Sequence, residues 1–221
     1  MLKPWPNISM NSLRILILSL FSLGISSITL AVEWDEAGAL AVLASDTQMK
    51  ARACQALAVV GGPESVLSLA ALPGNQELAS YARTALEVID DPSASKALRA
   101  ALPNLNGRLL SGVITSLGVR GDEAAVPAIQ QLAVNADTGV AKSALAALAR
   151  IGTEEAISTI VESLNKGPSA LRISAAHAAL AAAEELATNG NDELVEQLLK
   201  SIQSAVIPDY IKVAASTLTE R

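Results

Sequence analysis

The chain has 221 residues, with 22 acidic against 16 basic side chains and a formal net charge of −6, which disfavours a phosphate-backbone ligand. It carries one cysteine and one histidine, so an intramolecular disulfide and a Cys/His zinc set are both excluded. Hydrophobic residues make up 51% and aromatics only 2%, so the core must be aliphatic and stacking platforms for bases or sugars are scarce.

Lys3 and Arg14 precede an apolar run from Ile15 to Ile28, followed by Thr29-Leu30-Ala31. This reads as a secretory leader over residues 1–31, cut after Ala31. An uncleaved anchor is the alternative, because Ile15 to Val32 is 18 residues without a charge. Serines, a threonine and a glycine dilute the run and favour cleavage. The expected location is therefore outside the cytoplasm, in the periplasm or cell envelope, with membrane contact only through a retained leader. Removing Lys3 and Arg14 leaves 14 basic against 22 acidic residues, a net charge of −8.

A lone capping helix is expected next, within residues 32–45, and then a repeat array over 46–221. One leucine recurs through the array, at Leu57, Leu86, Leu117, Leu148, Leu180 and Leu218, with spacings of 29, 31, 31, 32 and 38 residues. Four residues before it stand Ala53, Ala82, Val113, Ala144, Ala176 and Ala214; one residue before it stand Ala56, Ala85, Ser116, Ala147, Ala179 and Thr217. These offsets share one helical stripe, on which small residues let a neighbouring helix approach and the leucine fills the groove. This half-repeat is termed helix A. Each helix A ends at a breaker such as Gly61-Gly62, Asp90-Asp91, Gly121-Asp122 or Gly152-Thr153. A second helix, B, follows, with apolar pairs at Val66 and Leu69, Val126 and Ile129, and Ile157 and Ile160. It stops at Pro73-Gly74, Pro103, Asn135 or Gly167-Pro168. A last helix A spans about Asp209 to Glu220. The prediction is twelve helices in an all-α, right-handed α-solenoid of five to six hairpins, each burying its apolar face against the next.

The pattern resembles HEAT repeats, including their short PBS-lyase-like subclass. The closest stretch is Ser116-Leu117-Gly118-Val119-Arg120-Gly121-Asp122-Glu123-Ala124-Ala125-Val126-Pro127-Ala128-Ile129, whose Gly-Asp turn and Val-Pro-Ala-Ile opening look like the HEAT turn into helix B. Tyr81 to Asp122 also looks like HEAT arrays of exported bacterial proteins, in which a haem or sugar-hydrolase domain often shares the chain. The resemblance implies a protein-binding scaffold whose concave face is lined by B helices. On that resemblance the partner-contact candidates are Lys96, Arg99, Gln130, Gln131, Glu162, Glu196 and Lys200, and the partner is another protein. An accessory or lyase-like protein handling a small ligand, and the repeat portion of a longer redox or hydrolytic protein, are the alternatives.

Residues for catalysis are few. His177 shares its offset from the leucine with Cys54, Arg83, Ile114 and Leu145, so the position carries no fixed chemistry. Cys54 sits on an apolar stripe and reads as a small buried hydrophobe. No Cys-x-x-Cys-His, phosphate-cradling glycine loop or nucleophile elbow is present, so no cofactor, metal or catalytic residue is expected and no enzyme activity. Acidic residues recur at the starts of B helices (Glu64, Asp90-Asp91, Asp122-Glu123, Glu154-Glu155, Asp192-Glu193), where capping of free N–H groups accounts for them. A weak Ca²⁺ ridge is the rival. Trp34 and Tyr210, in the terminal helices, are expected to seal the two ends of the stack.

Overall fold

A computed structural model describes residues 34–45 and 49–219; the leader read at 1–31 lies outside the described residues. From Trp34 onward the chain forms one compact unit. Twelve α-helices make it up among the described residues, with no strand. They are α1 (Glu36–Ala44), α2 (Lys50–Val60), α3 (Pro63–Ala70), α4 (Ala79–Val88), α5 (Pro92–Ala101), α6 (Gly107–Val119), α7 (Val126–Leu132), α8 (Thr138–Ile151), α9 (Glu154–Lys166), α10 (Ser169–Thr188), α11 (Asp192–Ser204) and α12 (Asp209–Thr219). The A helices are α2, α4, α6, α8, α10 and α12; the B helices are α1, α3, α5, α7, α9 and α11.

Local chemistry sets the boundaries. Asp35, Asp91, Asp137 and Thr153 accept backbone N–H groups at the starts of α1, α5, α8 and α9. Proline occupies the first turn of α3, α5 and α7, where its missing N–H costs nothing. Pro103 falls in a short 3₁₀ turn, Leu102–Asn104, that closes α5. α7 is preceded by another, Glu123–Ala125.

Helices pack only with near neighbours in sequence: α2 on α4, α4 on α6, α6 on α8, α8 on α10, with each B helix against the A helix that follows it. This is an α-solenoid, and its core runs as one strip along the stack. Leu57, Leu86, Leu117 and Leu148 are fully buried on it, as are Ala53, Ala82, Val113 and Ala144 four residues earlier. Full burial of a leucine stabilises by roughly 1.5–3 kcal/mol, so these four are the main ties between hairpins. The tightest approach lies between α6 and α8. A Cβ built on Gly118 would sit 2.8 Å from the Ala147 Cα, closer than any side chain tolerates.

The B layer is less even. Val66, Leu69, Val126, Ile129, Ile157 and Ile160 are buried as expected, and in α5 the departing Ser95 gives its place to buried Ala94 beside Leu98. However, α5 and the short α7 barely touch. Polar side chains join the two repeats there instead.

The repeating stripe keeps its buried Ala176 and Ala179 in α10 but loses its leucine there, and it fails in α12. Leu180 is only half-buried, and Leu186, 7% exposed, takes the core position near the end of α10. α10 has 20 residues against 14 in α8, and Leu186 lies 38 residues after Leu148, seven beyond the usual 31. Seven residues are two turns of helix, so the insertion keeps the facing direction while displacing the end of the helix. Alanines fill the added length: Ala175, Ala176, Ala179, Ala182 and Ala183 are all fully buried. In α12 the buried stripe is Ile211 and Ala215, with Leu218 half-buried, whereas Ala214 and Thr217 face solvent. Leucine alignment alone placed those two residues on the wrong side.

Candidate functional site

The seven B-helix candidates divide into two kinds. Arg99 on α5 forms a salt bridge with Asp122, in the turn between α6 and α7. Gln130 on α7 donates from Nε2 to the Glu155 carbonyl at 3.1 Å and to the Thr159 Oγ1 at 2.7 Å, both on α9. These two side chains hold repeats together. Lys96, Gln131, Glu162, Glu196 and Lys200 are exposed. Of these, only Glu162 has an intramolecular partner among the described residues, Lys166 one turn on at 3.5 Å, an exposed pair of little energetic weight.

The polar residues with the most contacts escaped the sequence reading. Arg120, at the end of α6, reaches back into the preceding repeat. Its Nη1 donates to the carbonyls of Leu86 at 2.7 Å, Glu87 at 3.1 Å and Ile89 at 2.8 Å; Nη2 donates to the Asp91 carbonyl at 3.1 Å. Its Nε donates to the Ser95 Oγ at 2.7 Å. A cation thus occupies the negative end of α4, where unpaired carbonyls gather. Arg83 on α4 donates to the Gly112 carbonyl at 2.8 Å and the Ser116 Oγ at 3.1 Å, and the Ser116 hydroxyl in turn donates to Glu87 at 2.6 Å. Burial pushes the Arg83 guanidinium below its usual range, partly opposed by Glu87. A Cβ at position 112 would lie 2.6 Å from the Arg83 Cζ, so the glycine makes room for the guanidinium. Glu36, on α1, accepts from the Ser65 hydroxyl at 2.5 Å and the Gly62 N–H at 2.8 Å, and so caps α3 from another helix. Those bonds hold its carboxyl below the usual range. The only signal for the two arginines was position: a charged side chain on an A helix within one turn of the core leucine.

The acidic residues at B-helix starts act separately. Asp91 caps α5 through the Ser93 hydroxyl and N–H, bonds that keep its carboxyl low. Asp122 pairs with Arg99. At α9 the capping side chain is Thr153, beside Glu154 and Glu155. Among the described residues no group of three or more His, Cys, Asp or Glu side chains is placed to hold a metal ion. Cys54 is fully buried, and desolvation raises its thiol. His177 is exposed, with its ring 6.3 Å from Tyr210. Tyr210 is itself 62% exposed, so it does not seal the end of the stack; Trp34, at the other end, packs on the core.

Two grooves open to solvent. One lies between the ends of α3 and α5, lined by Ala70, Pro73, Gly74, Ala97 and Leu105. The other, about 270 Å³ and more polar, lies between the ends of α8 and α10. No helix of the described residues is long and apolar enough to cross a membrane.

A single row of hairpins with polar groups spread along its B edge defines a helical-repeat solenoid, a class that works through its surface. Residues 95–181 match the family model for HEAT repeats. No curated protein matches the sequence. HEAT repeats generally mediate protein–protein interaction and are typically non-catalytic.

Proposed function

We propose that this protein is a non-catalytic interaction scaffold of the bacterial cell envelope, docking a protein partner along its B helices. The observation that carries the reading is the solvent-facing set Lys96, Gln131, Glu162, Glu196 and Lys200 on four successive B helices. Mixed charges with no strong internal partners are available at no cost to the fold, unlike Arg99 and Gln130. The envelope assignment rests on the leader-like segment at 1–31.

The combined variant Lys96→Ala, Gln131→Ala, Glu162→Ala tests the surface. Substitutions at exposed sites of this kind are expected to change stability by no more than about 0.5 kcal/mol each, so melting should stay close to wild type while partner co-purification from envelope extract is lost. Retention of every captured protein by a folded triple variant would refute the B-face assignment.

A further inference from the structure

The turn that ends α6 and the turn that ends α10 are built alike. In the first, Gly121 (φ +60°) donates to the Gly118 carbonyl and Asp122 to the Leu117 carbonyl, at 3.1 Å each. In the second, Gly190 (φ +74°) donates to the Ala187 carbonyl at 3.2 Å and Asn191 to the Leu186 carbonyl at 3.0 Å. Leu117-Gly118-Val119-Arg120-Gly121-Asp122 therefore corresponds to Leu186-Ala187-Thr188-Asn189-Gly190-Asn191. Both leucines lie in the core, and both turns carry the same left-handed glycine. Arg120 and Asn189 stand at one structural position, three residues beyond the leucine.

Their surroundings differ, since α4 ends at extended Ile89 and α8 at left-handed Gly152. Arg120 fills the space against the preceding A helix and binds the carbonyls at the end of α4. Asn189 is too short to do so, and a groove of about 270 Å³ lies at that place against the end of α8. Its walls are Ala149, Ile151 and Gly152 from the α8 terminus, with Glu185, Asn189 and Asn191 across from them. The α8 terminus presents the negative end of a helix, and Glu185 adds a carboxylate. Arg150, on the rim, is the one cation among the lining residues, and its side chain is exposed.

We infer that this groove is a socket for a guanidinium group, filled by an arginine side chain of the protein partner in the way that Arg120 fills its counterpart. The inference rests on the scaffold reading for the source of the arginine. Planar, multiply donating guanidinium suits a helix C-terminus facing a carboxylate better than a lysine ammonium does, and the chain's net charge of −6 favours a basic partner.

The test is an amide NMR titration of the full chain with N-acetyl-arginine amide, the lysine analogue and the uncharged citrulline analogue. Arginine should give saturable shifts at residues 149–152 and 185–191, with citrulline at least threefold weaker. Asn189→Arg, which supplies the missing guanidinium in cis at an exposed position, should remain folded and lose the response at least tenfold. Absence of saturable shifts, citrulline matching arginine, or an unchanged response in Asn189→Arg would each overturn the socket. Any of these leaves partner capture by the exposed B face untouched, and failure of that capture leaves the titration untouched, so the two readings fail separately.

Discussion

Arg120 illustrates how single polar residues stabilise a stack whose core is almost purely aliphatic. It satisfies four carbonyls and one hydroxyl of the preceding repeat, at the one junction where the B helices α5 and α7 barely touch. Arg120→Met keeps the aliphatic stem and removes the donors. Buried carbonyls then lose a charged partner, and unfolding in urea should show a loss of about 1.5–3 kcal/mol; an unchanged midpoint would mean that water replaces the guanidinium at no cost. Glu36 and Asp91 give the chain an acid dependence. Both carboxyls are held below their ordinary values of 4.5 and 3.8 by hydrogen bonds to the ionised form. Each therefore contributes stability that is complete above its unfolded value and is lost as pH falls through its folded value. A Glu36→Gln, Asp91→Asn double variant should lose less stability than wild type between neutral pH and about pH 3. Equal slopes in a denaturation series across that range would show that the two caps do not contribute.

At the scale of the helix, α6 and α8 are set by a glycine that leucine spacing does not single out. Gly118→Ala places a methyl group against the Ala147 backbone, which cannot turn aside as a flexible side chain would. Overpacking of this kind should cost about 1–3 kcal/mol by thermal or chemical melting, and a neutral result would mean that α6 can shift without loss. The hairpin plan itself was legible because breakers such as Gly121-Asp122 and Gly152-Thr153 punctuate a steady period near 31 residues. α10 was legible only in part. Its two added turns bring Leu180 near the expected spacing by coincidence, while the core position passes to Leu186 and to a run of alanines buried on several sides. Periodicity locates a helix face well only when large and small side chains alternate around it, and an alanine-rich helix offers no such contrast. The candidate contacts divided for a related reason. Sequence separates polar from apolar positions on α5 and α7, but not a polar group facing solvent from one such as Arg99 or Gln130 that reaches the adjoining repeat.

The described residues form a one-dimensional stack, so its stability is a sum of hairpins and of the interfaces between neighbours. That arrangement leaves an extended polar edge in solvent, because no single surface residue is needed to close a compact core. It also predicts that the weight of a core residue depends on whether neighbours cover it from both sides. The most direct measurement is urea denaturation of Leu148→Ala, Leu186→Ala and Leu180→Ala under identical conditions. Leu148 is fully buried between α6 and α10, so its truncation should cost about 2–5 kcal/mol through lost transfer energy and a residual cavity. Leu186→Ala should rank with it, and half-buried Leu180→Ala should lose less than half as much. Equal losses at Leu148 and Leu180, or a smaller loss at Leu148, would contradict a stack held together by leucines buried between successive hairpins.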